Sequence, residues 1–143
     1  MRSINEIQDE LISDFELFDN WEEKYEYIID LGKKIAPLDE IHKTEENIIK
    51  GCQSRVWLNA FLDDNQNLIF EADSDAIIVR GLISMLVQVL SGHTPEEIAK
   101  SELYFMERIG LHRHLAQTRS NGLASMVKQM KAYAIGYQSI IAG

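Results

Sequence analysis

One cysteine, Cys52, stands in a setting that suits a reactive thiol. In Gly51-Cys52-Gln53-Ser54, the glycine opens backbone conformations closed to other residues, and the next two residues set polar side chains beside the sulfur. The thiolate is a nucleophile, and a thiol on a loop between two strands can project from a rigid base into another protein's active site. A lone cysteine also has a plainer use as a small buried apolar group. It cannot form an internal disulfide, which fits a reducing compartment. The histidines, His42, His93, His112 and His114, lack paired cysteines or an acidic cluster at ligand spacing. Surface or helix-end positions are expected for them, with no metal.

The elements around the cysteine can be read from periodicity and caps. Ser3 and Glu6 have capping-box spacing, and Ile4, Ile7, Leu11 and Phe15 then recur along one helical face. Asn20 starts a second helix through Trp21, Tyr25, Ile28 and Ile29, with Lys33 and Lys34 at its end and Pro37 beyond it. Val56–Phe61 alternates as a strand, and Asp63–Asn67 is a run of turn formers. Leu68–Ala72 forms the returning strand, and Asn47–Lys50 a short third one. Ser74 or Asp73 caps the next helix, which carries Ile78, Leu82, Met85, Leu86 and Val89 and stops at Gly92. Thr94-Pro95-Glu96-Glu97 opens another helix, Gly110 interrupts a further short one, and a long amphipathic helix starts at Asn121. The last few residues read as a tail. The result is an α+β fold: a small antiparallel sheet of about three strands packed with N-terminal and C-terminal helices.

The 143 residues fit a single domain, 1–143, with 45% hydrophobic residues to fill one core. Fourteen Lys and Arg against twenty-three Asp and Glu give a net charge of −9, which disfavours nucleic acid and could steer the chain toward a basic partner surface. Apolar runs such as Ala76–Val79 and Leu86–Leu90 are too short to span a membrane, and acidic residues sit where a signal peptide needs an apolar stretch. A cytoplasmic protein is expected.

Four blocks together resemble the SufE family of sulfur-acceptor proteins. They are Ile49–Leu58 around Cys52, Phe70–Leu82, Ile109–Leu111 with His114-Leu115, and Thr118–Leu123. The resemblance implies a fold similar to IscU-type iron–sulfur scaffolds, with Cys52 as the persulfide acceptor tucked against an apolar surface at rest. It implies two partners, a SufS-type cysteine desulfurase and a SufBCD-type scaffold complex, with a homodimer as a further possibility. No cofactor is expected on this chain, since pyridoxal phosphate belongs to the desulfurase. An ordinary thiol, with pKa about 8.5, is mostly protonated at neutral pH, so some group must stabilise the anion. Arg119, in a motif that also opens a helix, is the first candidate, and Arg55 the second. Gly51, Gln53, Ser54, Asp73, Ser74 and Asp75 are candidates for loop support or partner binding, with helix capping as the plainer use of the acidic trio.

Four other readings stay open. A paralogous desulfurase system could use the same acceptor chemistry. A cluster scaffold is disfavoured by the single thiol, because clusters are usually held by several. A cysteine hydrolase would need a histidine base near Cys52 in space. A plain interaction module would keep Cys52 only as core.

Overall fold

The computed structural model describes residues 2–143. Helices α1 (Ile4–Glu16) and α2 (Trp21–Lys34) open the chain, followed by short 3-10 turns at Glu40–His42 and Glu45–Asn47. Strands β1 (Val56–Leu62) and β2 (Leu68–Ser74) form an antiparallel hairpin, paired from Val56↔Ser74 to Leu62↔Leu68. Its turn is held by Asp63, whose Oδ1 accepts from the backbone N–H groups of Asn65 and Asn67, both at 2.9 Å. Five helices complete the chain: α3 (Ile77–Leu90), α4 (Pro95–Lys100), α5 (Phe105–Ile109), α6 (Leu111–His114) and α7 (Gln117–Ala142).

The local start signals form as the sequence dictates. Capping boxes close at Ser3/Glu6 and Thr94/Glu97, and the Asn20 side chain accepts from Glu23 N–H. Each cap satisfies helix-start donors that have no partner within the helix. α3 is the hub of the core: Ile78, Leu82, Met85, Leu86 and Val89 are all buried, and the helix packs on α1, α2, α7 and β2. At its crossing with α2, Gly32 and Gly81 remove the side chains that would hold the two backbones apart.

Several expectations are corrected. The third strand shrinks to an isolated bridge between Ile48 and Trp57, so the sheet has two strands. The 3-10 turn at Glu45–Asn47 takes up Asn47, and Lys50 enters a turn with Gly51. Asp73 and Ser74 end β2 rather than cap α3, whose N-cap is Ala76 without a side-chain cap bond. α7 begins at Gln117, four residues before Asn121, and the expected tail is helical to Ala142. His93 takes the helix-end position expected of it and is buried there: its ring nitrogens lie 3.3 Å from the carbonyl oxygen of Leu90, the last residue of α3, and 2.9 Å from that of Arg2.

Candidate functional site

The loop that carries the cysteine is tied at both ends. Ile49 N–H donates to the Val56 carbonyl at 2.9 Å, so the chain leaves and returns at one point. Beside it, Ser74 Oγ donates to the Arg55 carbonyl at 2.7 Å, and Asp75 Oδ1 accepts from Arg55 N–H at 3.1 Å. These two bonds strut the loop against the end of β2. Between the ties, Gly51 takes φ +93°, and a Cβ there would stand 2.6 Å from Ser125 Oγ on α7. The backbone angle favours glycine, while the serine side chain could turn away from a Cβ.

Cys52, on this loop, is half-buried. Its Sγ donates weakly to the Gly122 carbonyl at 3.5 Å, and a cavity of about 60 Å³ lies beside it. Val56, Val79, Leu82 and Met126 give that cavity its apolar wall. Loss of water around the sulfur raises its pKa above the ordinary thiol value, because burial penalises the charged form. The site therefore favours the protonated thiol over the thiolate. By linkage, this preference contributes stability below the ordinary thiol pKa and is lost as pH rises through the raised value. Alkylation of Cys52 by iodoacetamide is expected to be slower at neutral pH than for an unfolded peptide carrying the same residues. Its pH–rate midpoint should lie above the peptide's and fall to meet it in denaturant. Equal midpoints in the two states would remove the protected thiol.

Among the described residues, neither candidate anion stabiliser hydrogen-bonds the sulfur. Arg119 lines the cavity, but its Nη1 donates to Tyr25 Oη at 2.8 Å, on α2. α7 starts at Gln117, so Arg119 lies in its first turn, and the group that meets the sulfur is the Gly122 carbonyl, an acceptor that suits S–H and opposes S⁻. Arg55 strengthens the loop through its backbone, while its side chain is exposed. Gln53 and Ser54 line the cavity with Cys52. Asp73 is placed apart from them. It is buried, with Oδ1 3.1 Å from Arg80 Nε and Oδ2 3.6 Å from Lys43 Nζ. The Arg80 Nε–H is not directed at that oxygen and makes no hydrogen bond among the described residues. Tyr25 and Ser125 were not visible as site residues in the sequence, because their partners lie far along the chain. Among the described residues, no three His, Cys, Asp or Glu side chains are grouped to hold a metal, and no helix is long and apolar enough to cross a membrane.

Fold and site together define a small α+β protein that keeps one thiol on a strutted loop, half-shielded by a helix. Comparison with known proteins makes the assignment specific. Residues 9–134 match the SufE model, described as an Fe-S metabolism associated domain. An uncharacterized SufE-like protein of Rhizobium meliloti is 42% identical over 132 residues, covering 90% of this chain and 94% of the relative. SufE-like protein 1, chloroplastic/mitochondrial, of Arabidopsis thaliana is 38% identical over 138 residues; the match covers 94% of this chain and 37% of that longer protein. A solution structure of a hypothetical protein from Thermus thermophilus shares the fold, with TM-score 0.76 at 16% identity over 93% of this chain and 96% of that one. The chain belongs to the SufE family, which associates it with Fe–S metabolism.

Proposed function

We propose that the chain is a sulfur carrier that takes sulfur as a persulfide on Cys52 and passes it on for iron–sulfur cluster assembly. The donor is a SufS-type cysteine desulfurase, stimulated by removal of its sulfur, and the receiver is a SufBCD-type scaffold complex. The Cys52 thiolate attacks the outer sulfur of the desulfurase persulfide. A new S–S bond forms, the donor's S–S bond breaks, and the donor cysteine leaves as a thiolate. No external oxidant or reductant is needed. Pyridoxal phosphate stays with the desulfurase, and this chain works in the cytoplasm without a cofactor of its own.

The observation that carries this reading is the placement of the only cysteine on a loop that turns at Gly51, beside a small cavity with an apolar wall and Arg119 in its lining. At rest the sulfur is shielded and protonated. Turning the Cys52 side chain off the Gly122 carbonyl breaks one weak S–H bond, returns the thiol to water and lowers its pKa toward the ordinary range. Arg119, on the cavity wall, and Arg55 are the candidates to stabilise the anion. The test is mass measurement after incubation with a SufS-type desulfurase and free cysteine. One added sulfur, about 32 daltons by the exchange chemistry, is expected, and dithiothreitol should remove it. A wild-type protein that gains no mass would sink the proposal.

A further inference from the structure

The net charge of −9 is unevenly spread. Residues 108–143 contain Arg108, Arg113, Arg119, Lys128 and Lys131 and no Asp or Glu, so this stretch carries +5 and the residues before it −14. The fold sets these cations on both sides of the thiol loop. On one side Arg119 lines the Cys52 cavity and bonds to Tyr25. One turn back along α2, Trp21 stacks on His114 with ring centroids 4.0 Å apart, and Lys24 Nζ lies 5.3 Å from the indole centroid. Arg113 packs over Gly110 beside the same indole, and with Arg108 and His112 it lines a surface concavity that also includes Glu107. On the other side of the loop, Lys50 and Lys128 line a cleft of about 430 Å³ with Glu46 at its edge.

These cations are available to a partner. Among the described residues, none of Lys24, Lys50, Arg108, Arg113, Arg119 and Lys128 forms an ion pair with a carboxylate. Arg2, Lys33, Lys43, Arg80 and Lys100 are all paired. The acids of α1 are collected elsewhere, with Glu6, Asp9, Glu10 and Asp14 around a separate concavity.

We infer that the face around Cys52 docks on an acidic protein surface, a carboxylate-rich rim around the thiol of the protein that exchanges sulfur with it. This rests on the carrier reading and adds the chemistry of the partner. It also reverses the expectation from net charge, which pointed to a basic partner. Separated charges give the carrier a direction: the acidic remainder is repelled by the partner's rim while the thiol-bearing face is drawn in. A nucleic acid fits less well, because Arg119 and Lys50 lie beside a thiol whose chemistry needs a second sulfur, and the rest of the chain repels a polyanion.

The test is the rate of Cys52 loading by a cysteine-fed SufS-type desulfurase below saturation, followed by mass. Loading should fall about ten-fold between low and high salt, and about as much in Arg113→Glu and Lys128→Glu at low salt. Lys100→Glu should load within about two-fold of wild type, because that charge lies outside the face. Arg113→Gln keeps much of the stem's packing and should show a smaller loss of the same sign. A second measurement needs no desulfurase: Cys52 should react faster with a dianionic aromatic disulfide than with a neutral dipyridyl disulfide, relative to free cysteine. That ratio should drop in both charge reversals. Reversal variants that load at the wild-type rate, or firm binding of duplex DNA at physiological salt, would overturn the inference. Wild-type protein that accepts no sulfur at any salt concentration sinks the carrier reading instead, and the disulfide ratio then decides on the cationic face alone.

Discussion

Cys52→Ser is expected to accept no sulfur from a desulfurase while folding as the parent does. A serine hydroxyl is hardly ionised at any pH the protein survives, and it cannot form the S–S bond that stores sulfur at the persulfide level. The fold should notice little. Serine is close to cysteine in shape, and its hydroxyl can donate to the Gly122 carbonyl that now receives the thiol. Loss of apolar contact in a half-buried site is offset by that stronger hydrogen bond, which leaves a stability change within about 1 kcal/mol. Mass measurement after desulfurase treatment, paired with a thermal melt, separates the two effects. A serine variant that still gained about 32 daltons would place the acceptor somewhere other than the only thiol. One that melted far below the parent would return Cys52 to a core role.

Much of this was legible because it is local. A capping box needs only residues three apart, so Ser3/Glu6 and Thr94/Glu97 could be read before any tertiary contact was known. The same holds for the hairpin, whose turn is made by Asp63 within its own five residues. The errors share the opposite cause. Asp73 looks like a helix cap in its own neighbourhood, yet Lys43 and Arg80 draw its carboxylate into the core at the end of a strand. The start of α7 was missed because Ala116 offers no side-chain cap, leaving Asn121 as a better local signal than the true boundary. At the site, Cys52 and its glycine were visible in one short motif. The bond that occupies Arg119 was not, since Tyr25 lies 94 residues away. The family resemblance made Arg119 a candidate partner of the sulfur; the choice of hydrogen-bond partner was a tertiary matter.

The largest effect on stability is expected from Gly81→Ala, at the crossing of α2 and α3. A Cβ at this position would lie 2.0 Å from the Ile28 carbonyl oxygen and 2.6 Å from Ile28 Cγ2. The obstacle is backbone, so no rotamer change relieves it. Gly32 mirrors the constraint, with its own Cβ position 2.6 Å from Gly81 N. The two helices must separate, at a cost of about 3 kcal/mol for forcing extra volume into a packed contact. Alanine returns about 1 kcal/mol through its better helix propensity. A net loss of about 2 kcal/mol should lower the melting temperature by about 7 °C in a chain of this size. Gly136→Ala is the matched control, since a Cβ there meets nothing within 4 Å, and the propensity gain should appear alone. The consequence reaches the thiol, because α2 holds Tyr25 against Arg119 and α3 supplies Val79 and Leu82 to the cavity wall. Parting those helices should loosen the cover on Cys52, so Gly81→Ala should alkylate faster than wild type at temperatures well below its melt. A Gly81→Ala protein that melts at or above the wild-type temperature would show that the crossing relaxes without cost. An unchanged alkylation rate in a destabilised protein would show that the thiol is guarded by the loop and α7 alone.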